Sequence, residues 1–356
     1  MRGVVAAIVL MLIGVIAGSP GSIAADGVKR PLGLDLYRPV PDGNPLTPAK
    51  VDVGRRLFRD RGLSRDGSMA CVSCHDPRRA FTNGEKVGKG VGGARGTRNV
   101  PTIVNRAWGR NFFWDGRAPT LEDQVLQPIL HPDELANTAN RVVALARSDR
   151  YRGRFEIAFG VAAESSLDPR LISPAANNPY EGLHATDALT LRQVALALAA
   201  YVRTIQTGDS PYDRYITGNR SALNASARRG LDTFRGKGGC TGCHVGPTFS
   251  DEDFHNTGVA WRTGVLTDEG RARVTKAAAD RGAFKTPTLR EVARTAPYMH
   301  DGTFATLAEV VAFYNRGGAP NPGLDSQLRP LNLTEAEQRD LETFLRSLSG
   351  KTRDGE

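Results

Sequence analysis

The chain lacks several features that would define other classes of protein. After its N-terminal segment it has no apolar run long enough to cross a bilayer. Its 47 basic and 38 acidic residues give a net charge of +9, but the two signs are mixed and form no block of like charge. Since no nucleic-acid-binding motif accompanies this excess charge, the sequence argues against a nucleic-acid partner.

Cysteine is scarce: the chain has only four, and all of them belong to two Cys-x-x-Cys-His motifs. The motif residues are Cys71, Cys74 and His75, and Cys240, Cys243 and His244. This spacing is typical of c-type haem attachment, because both thiols can form thioethers to one haem and the following histidine lies under the iron. Thioredoxin-like motifs, a split zinc site or disulfides do not need that histidine. We therefore expect two covalent haems.

The N-terminal segment has the features of an export signal. Arg2 precedes a short apolar run over residues 4–16, and residues 22–25 offer small side chains for cleavage. Because haem is attached to c-type cytochromes outside the bacterial cytoplasm, we expect a periplasmic protein with a signal peptide at residues 1–25. An uncleaved signal kept as an anchor is the alternative; after cleavage we expect no stable membrane span.

The two halves of the chain resemble each other around the haem motifs. A helical segment with glycine and phenylalanine one turn apart precedes each motif, with Gly54 and Phe58 in the first half and Gly230 and Phe234 in the second. A long interval and then an amphipathic helix follow each motif. The repeat predicts two units of the same kind.

Local signals also predict where the two closing helices begin and end. Thr190 and Thr334 are each followed three residues later by Gln or Glu, which predicts a capping box at each helix start. Gly208 and Gly350 then predict the helix ends.

A helix before the haem motif and an aromatic-bearing helix after it is the layout of a class I cytochrome c, and Tyr201 and Phe344 are the aromatic residues here. The expected fold class is mainly α, with two class I cytochrome c-like domains that each carry one covalent haem. We place these domains at residues 30–207 and 208–350, with residues 208–222 as the linker. The first domain contains a long insertion, where we expect the active site.

The insertion and the second half contain further motifs in a recognisable order. They are Arg-Asn-Val-Pro-Thr at 98–102, Phe-Trp-Asp-Gly-Arg at 113–117, Phe-Lys-Thr-Pro-Thr-Leu-Arg at 284–290 and Thr-Ala-Pro-Tyr-Met-His-Asp-Gly at 295–302. This order resembles the bacterial dihaem cytochrome c peroxidase and MauG family over nearly the whole mature chain. The resemblance implies an oxidoreductase that reduces H2O2 at the N-terminal haem and carries an electron-transfer haem in its C-terminal domain.

The resemblance also implies which residues act on peroxide. Glu134 would be the acid–base residue, Gln124 would donate a hydrogen bond, and Pro128 would fill the distal pocket. The chemistry suits these types, because a carboxylate above the haem can take a proton from bound peroxide and return it to the leaving oxygen. Trp114 would relay electrons between the haems.

A structural calcium ion is a further implication of the family. Asn99, Thr295 and Pro297 match the residues that hold this ion between the domains, the last two through backbone oxygen. Hard oxygen ligands are those that Ca2+ prefers.

One departure from the family pattern indicates the subtype. Mainstream peroxidase members carry a histidine in the loop before the Arg-Asn-x-Pro-Thr motif, and residues 84–97 contain none. We therefore expect the first haem to be five-coordinate in the fully oxidised protein, as in MauG-like members.

The sixth ligand of the second haem has four candidates, which are Met299, His255, His300 and Tyr314. Mainstream peroxidases have a ligand methionine at the position that is Tyr314 here, and MauG-like members use tyrosine there. The resemblance therefore favours Tyr314, and a phenolate ligand favours oxidised iron.

These features favour a periplasmic MauG-like peroxidase that uses H2O2 to oxidise a residue of a partner protein. One alternative is a peroxidase that detoxifies H2O2 with a small cytochrome or cupredoxin as donor. Another is a non-catalytic dihaem electron carrier, in which Glu134 would have no task. Both enzymes need H2O2 and a redox partner protein.

Overall fold

The computed structural model describes residues 31–35, 37–160 and 178–354, and the predicted signal peptide lies outside them. As expected, the fold is mainly α-helical. The helices are α1 (Pro48–Arg59), α2 (Cys71–Cys74), α3 (Leu121–Leu130), α4 (Ala139–Ala146), α5 (Arg154–Phe159), α6 (Ala185–Thr204), α7 (Pro211–Ile216), α8 (Ala225–Arg235), α9 (Ala272–Thr275), α10 (Leu307–Asn315) and α11 (Glu335–Arg346). Within the described ranges, no helix is long and apolar enough to cross a membrane.

The few strands are short and form two-stranded antiparallel pairs. They are β1 (Gln206–Gly208), β2 (Phe254–His255), β3 (Trp261–Arg262), β4 (Val265–Leu266), β5 (Phe284–Lys285) and β6 (Lys351–Arg353). β1 pairs with β6, β2 with β5 and β3 with β4. These strand pairs connect loop segments, and most of the buried apolar residues belong to the helices.

Two helix pairs cross in the same way, α1 with α6 and α8 with α11. At the first crossing, a Cβ on Gly54 would lie 1.9 Å from the carbonyl oxygen of Ala197. At the second, a Cβ on Gly230 would lie 1.9 Å from the carbonyl oxygen of Asp340. Each glycine is therefore needed for the close approach of two helix backbones.

An aromatic pair fills each crossing one turn after its glycine. The ring centroids of Phe58 and Tyr201 are 5.1 Å apart at an interplanar angle of 59°. Those of Phe234 and Phe344 are also 5.1 Å apart, at 56°. The sequence repeat thus corresponds to two local packing arrangements of nearly identical geometry.

The buried apolar residues form two large clusters that follow the order of the chain. One runs from Val53 to Ile205 and includes α1, α3, α4 and α6. The other runs from Leu223 to Leu348 and includes α8, α10 and α11. Each cluster contains one of the helix crossings.

The predicted start of α6 is wrong, whereas the predicted start of α11 is confirmed. Thr334 caps α11 and forms a capping box with Glu337. Thr190 instead lies inside α6, which begins at Ala185, and its hydroxyl donates to the carbonyl of Thr186 at 2.9 Å. A hydroxyl that bonds back to the preceding turn is compatible with a helix interior, so the local signal was ambiguous.

Gly208 and Gly350 do not end the helices as predicted. α6 ends at Thr204 and α11 at Arg346, and both glycines lie beyond these ends. A Cβ on Gly350 would lie 2.0 Å from the carbonyl oxygen of Gly208. The glycines therefore allow the approach of the chain segments at the β1–β6 pair, which connects the end of the chain to the first half.

The predicted linker at residues 208–222 contains an anchored helix. Ser210 and Asp213 form a capping box at the start of α7. Asp213 is fully buried and accepts two hydrogen bonds from Arg290, at 2.6 and 2.8 Å. The segment is held by a buried ion pair, which a plain linker would not need.

We expect Gly54→Ala to lower the free energy of unfolding by about 1–3 kcal/mol, because the added methyl group would collide with the backbone of Ala197. Gly230→Ala should have a similar effect in the second half. The measurement is chemical unfolding of the haem-loaded protein, with Gly43→Ala as control, since a Cβ at Gly43 has no atom within 4 Å. Equal free energies of unfolding for the Gly54→Ala and Gly43→Ala variants would contradict the close approach of the two helix backbones at Gly54.

Candidate functional site

The first pair of thiols lies on a single turn of helix, α2. Both cysteines are unpaired, and His75 caps the turn. The Nδ1 atom of His75 lies 3.0 Å from the carbonyl oxygen of Phe81, a residue with φ of +60°. Because Nδ1 is held in this way, Nε2 is the nitrogen left to bind iron.

The second pair of thiols repeats this arrangement. Cys240–Gly242 forms a 3-10 turn, and Nδ1 of His244 lies 2.9 Å from the carbonyl oxygen of Phe249, whose φ is +54°. Burial lowers the pKa of both His75 and His244, which favours the neutral imidazole that binds metals. Each motif thus combines two thiols with an oriented imidazole, a donor set that fits covalent haem.

Glu134 lies beside the first pair of thiols. Its charge acts on Cys71 and Cys74 and raises the pKa of both thiols in addition to the larger effect of burial. Burial also raises the pKa of Glu134, and the charges of His131 and Arg117 oppose that shift. A carboxyl group with a raised pKa next to the first motif suits proton transfer.

A glycine-rich loop holds the backbone of Glu134. The amide of Val91 donates to the carbonyl oxygen of Glu134 at 2.8 Å. A Cβ on Gly90 would lie 2.0 Å from the carbonyl oxygen of Asp133, so a larger residue would displace this segment. The position of Glu134 thus depends on a loop more than forty residues earlier in the chain.

Gln124 and Pro128 lie one turn apart on α3, and both are half-buried. The residues of α3 that face the core are Leu121, Val125, Leu126 and Ile129. Leu135, next to Glu134, donates its amide hydrogen to the carbonyl of Pro128 at 3.0 Å. The structure therefore brings the segments of Gln124, Pro128 and Glu134 together.

Trp114 is bonded to both halves of the chain. Its indole nitrogen donates to the carbonyl of Asn99 at 2.9 Å, and its own carbonyl accepts from the amide of Lys285 at 2.9 Å. The side chain is half-buried. Trp114 thus lies where the insertion of the first half meets strand β5 of the second.

A largely buried ion-pair cluster flanks Trp114, and the sequence analysis did not assign it. Arg98 contacts Asp115 at 2.7 Å and Asp268 at 2.7 and 2.8 Å through different guanidinium nitrogens. Arg271 donates to the carbonyls of Asp115 and Gly116, both at 3.0 Å. Arg98 belongs to a motif quoted above, but its partner Asp268 is distant in sequence, so no local pattern could reveal the pair.

Tyr314 lies near the second pair of thiols. It is half-buried on α10, where burial raises the pKa of its phenol, and the charges of Cys243 and Cys240 add to the effect. This electrostatic coupling places the phenol close to both cysteines of the second motif.

His255 uses both of its ring nitrogens in hydrogen bonds. Nδ1 lies 2.6 Å from Asp325 and Nε2 lies 3.0 Å from Asp251. Hydrogen bonds with Cys243 and the two carboxylates raise the pKa of His255 to about 10. Cys243, Asp251 and His255 are close enough to suggest a metal site, but the thiol belongs to the haem-attachment motif, which leaves an imidazole with carboxylates.

His300 and Met299 lie in the segment that contacts Asn99. The ring of His300 stacks on Phe284, with centroids 3.6 Å apart, and burial lowers the pKa of His300 to about 4. Met299 is half-buried and has φ of +72°.

The three predicted calcium ligands come from two adjoining segments. The amide of Asn99 donates to the carbonyl of His300 at 2.7 Å, which brings Asn99 next to the segment of Thr295 and Pro297. The side-chain nitrogen of Asn99 donates to the carbonyl of Glu85 at 3.0 Å. The side-chain oxygen of Asn99 therefore faces away from Glu85.

Two oriented haem-attachment sites in a mainly helical chain, with a carboxyl group beside the first, define a dihaem c-type cytochrome of the peroxidase class. A family model described as di-haem cytochrome c peroxidase matches residues 48–221. Together with the relatives described next, this match means that the chain belongs to the di-haem cytochrome c peroxidase family.

Relatives and solved structures agree with this assignment. The chain is 37% identical over 314 residues to the methylamine utilization protein MauG of Methylorubrum extorquens, covering 88% of this chain and 82% of that protein. It is 35% identical to the cytochrome-c peroxidase IdrP1 of Denitromonas iodatirespirans, covering 95% and 92%. The crystal structure of a MauG-like protein associated with microbial copper homeostasis matches with a TM-score of 0.74 and 31% identity, covering 91% and 94%. The chain is thus a peroxidase, and its family implies two c-type haems.

We expect Arg98→Met to lower the free energy of unfolding by about 3–5 kcal/mol, because it would leave Asp115 and Asp268 buried without their cation. The matched control is Arg78→Met, which removes an ion pair with Asp76 from an arginine whose side chain is 90% exposed. Chemical unfolding of both haem-loaded variants would compare them. A loss for Arg98→Met no larger than the loss for Arg78→Met would show that the cluster does not hold the two halves together.

Proposed function

We propose that the protein is a periplasmic MauG-like peroxidase that reduces H2O2 at the first haem site and uses the oxidising equivalents on a residue of a partner protein. The observation that carries this proposal is the half-buried carboxyl group of Glu134 beside Cys71 and Cys74. A periplasmic location is supported by the two c-type haem motifs, whose attachment takes place outside the bacterial cytoplasm.

The residues around the first site have distinct tasks in this proposal. Cys71, Cys74 and His75 would hold the first haem, which would supply the iron for peroxide reduction. Glu134 would take a proton from one oxygen atom of peroxide and return it to the other, which leaves as water. The side-chain amide of Gln124 would donate a hydrogen bond to peroxide, and Pro128 would line the pocket in which peroxide binds.

Trp114 would carry oxidising equivalents between the two sites. Its bonds to Asn99 in the first half and Lys285 in the second support this role, because they fix the indole where the halves meet. The ion-pair cluster around Arg98 holds the same region rigid, which an electron-relay residue requires.

Cys240, Cys243 and His244 would hold the second haem, and Tyr314 would provide a further ligand to its iron. Support comes from the electrostatic coupling of Tyr314 to both thiols and from the engagement of both ring nitrogens of His255 by carboxylates. An anionic oxygen ligand favours oxidised iron, so this haem would be suited to storing an oxidising equivalent.

Each haem would belong to one class I cytochrome c-like domain, at residues 30–207 and 208–350. The two helix crossings and the two apolar clusters support this division. Asn99, Thr295 and Pro297 would bind a calcium ion between the domains through oxygen atoms, in keeping with the contact between Asn99 and the segment of the other two.

Glu134→Gln should slow the reaction with peroxide by about 10²-fold to 10⁴-fold while both haems are retained, because the amide cannot accept the proton. The test is stopped-flow mixing with H2O2, followed by haem absorbance. Asp133→Asn is the matched control, since Asp133 is the exposed neighbour of Glu134.

The pH dependence provides a second measurement on the same variants. The base form of Glu134 is the carboxylate, and burial raises its pKa above the ordinary value of about 4.3. The rate constant of the wild type should therefore rise with pH above that value, and the rise should be absent in Glu134→Gln. A near-wild-type rate for the variant would remove Glu134 from the mechanism.

Tyr314→Phe should abolish one low-spin haem signal in ferric electron paramagnetic resonance (EPR) spectra and the tyrosinate bands in resonance Raman spectra. Met299→Leu should leave both unchanged and serves as the control. If Met299→Leu removes the low-spin signal instead, the second haem is ligated as in mainstream peroxidases.

The nature of the substrate can be tested by steady-state turnover. With H2O2 and reduced small cytochromes we expect slow turnover, and we expect the peroxide-oxidised protein to be long-lived on its own, because a tyrosine-ligated haem is a poor acceptor for mild donors. Fast cytochrome oxidation with a short-lived oxidised state would favour the detoxifying peroxidase over the protein-modifying enzyme.

A further inference from the structure

The aromatic pairs of the two helix crossings differ in one atom group, the hydroxyl of Tyr201. Tyr201 packs on Phe58 with the same centroid distance as Phe344 on Phe234, 5.1 Å in both cases. Phenylalanine is thus sufficient to fill such a crossing in this chain. The hydroxyl of Tyr201 is therefore not explained by packing.

This buried hydroxyl has a proton acceptor and a cation as partners. Tyr201 is fully buried, and its hydroxyl donates a hydrogen bond to the carboxylate of Asp354. Arg59 donates to the phenolic oxygen at 3.1 Å and to Asp354 at 2.7 Å. The side chains of Arg59 and Asp354 are 39% and 27% exposed, so the hydroxyl lies just beneath the surface.

A continuous series of aromatic rings connects this hydroxyl with the iron-binding histidine of the first site. The ring of Tyr201 is in contact with Phe58, whose centroid lies 6.5 Å from that of His75. Short steps between aromatic rings are a suitable path for an electron. The phenol and its proton acceptor therefore lie at the outer end of a path that begins at the peroxide-reducing site.

We propose that Tyr201 is an oxidisable residue that supplies one of the electrons consumed by peroxide and transfers its phenolic proton to Asp354. The O–H bond of Tyr201 breaks, its electron passes through Phe58 towards His75, and its proton forms a new O–H bond on Asp354. Reduction of one H2O2 to two water molecules takes two electrons and two protons. Tyr201 supplies one electron, the partner-protein residue of the proposed function supplies the other, and the two protons come from solvent. The inference rests on the proposed reduction of peroxide at the first site.

Arg59 would keep the site intact after oxidation. When the phenolic proton moves to Asp354, the phenol oxygen loses its own donor but keeps the hydrogen bond from Arg59. When an electron arrives, the proton can return from Asp354 to the phenolic oxygen of Tyr201. Tyr201 would then hold an oxidising equivalent just beneath the protein surface.

A second tyrosine in the same half offers a matched control. Tyr151 is also buried, and its hydroxyl donates to Asp60 at 2.8 Å, beside Arg150. Its ring is in contact with Phe155, and no ring contact joins it to Phe58 or His75 within residues 31–35, 37–160 and 178–354. Tyr151 therefore has the same kind of proton acceptor without the aromatic path.

The rival explanation is that Tyr201 only holds the end of the chain. Strand β6, just before Asp354, pairs with β1, so the hydrogen bond could simply fasten this segment to the first half. A structural role of this kind would change the thermal stability of variants. It would not produce a radical on tyrosine, so a radical measurement separates the two explanations.

The experiment mixes the dihaem protein with H2O2, freezes it at successive times and records EPR spectra. Protein labelled with ring-deuterated tyrosine distinguishes a tyrosyl radical from a tryptophanyl radical such as one on Trp114. Only the EPR signal of a tyrosyl radical becomes narrower on this labelling. The variants are Tyr201→Phe, Asp354→Asn and the control Tyr151→Phe. Haem absorbance and thermal stability are recorded for every sample.

A nitroso spin trap provides a second readout, because it forms a covalent adduct with a tyrosyl radical. After digestion with trypsin, an adduct on the peptide at residues 193–203 identifies Tyr201, since that peptide contains a single tyrosine.

We expect a deuterium-sensitive tyrosyl signal in the wild type and in Tyr151→Phe, and an adduct on the peptide at residues 193–203. Tyr201→Phe should lose both, and Asp354→Asn should greatly reduce them, because an amide cannot accept the proton. Retention of the full signal in Tyr201→Phe, or an equal loss in Tyr151→Phe, would overturn the inference.

The haem absorbance distinguishes failure of this inference from failure of the proposed function. If peroxide oxidises the haems of the wild type and no tyrosyl signal forms, the inference is wrong and the proposed function stands. If peroxide does not react at the haems, both are wrong.

Discussion

The orientation of two histidine rings is the constraint on which the rest of the structure depends. His75 and His244 each bond through Nδ1 to a backbone carbonyl of a phenylalanine in the left-handed region, Phe81 and Phe249. This bond leaves Nε2 for iron and sets the plane in which a haem can be held. Each motif also packs against the apolar cluster that contains the helix crossing of its own half, so the two halves repeat one local arrangement.

The contact between the halves is rich in buried ion pairs. Arg98 joins Asp115 to Asp268, Arg106 contacts Glu252 at 2.7 Å, and a further pair anchors α7. Such pairs contribute little net stability, because desolvation offsets their attraction, but removing one partner is costly. Their effect here is geometric, since they join the two halves, and the pair that Arg98 makes with Asp115 holds the residue next to Trp114. The electron relay proposed for Trp114 would benefit from that rigidity.

The asymmetry of the two halves agrees with the different tasks proposed for them. Only the first half contains the insertion that brings Glu134 to the thiols, and its closing helix carries a tyrosine where the second has a phenylalanine. The second half places Tyr314 near its thiols and engages His255 with two carboxylates. The same arrangement of helices is thus combined with a carboxyl group for the proposed proton transfer in the first half, and with a phenol for the proposed storage of an oxidising equivalent in the second.

The sequence by itself determined the haem-attachment residues, the mainly helical class and the repeat, because these depend on spacings of a few residues and on helical periodicity. It also allowed Glu134, Gln124 and Trp114 to be named through family resemblance. Tertiary structure alone decided that Gly208 and Gly350 meet at a strand pair, that α7 is anchored by Arg290, and that Arg98 finds Asp268. Each of these contacts joins segments distant in the chain, and the short patterns around a glycine or an arginine carry no information about a partner so far away. Thr190 was mistaken for a helix start because its local signal was compatible with both a cap and a helix interior, and in the structure its hydroxyl bonds back to the carbonyl of Thr186 inside α6.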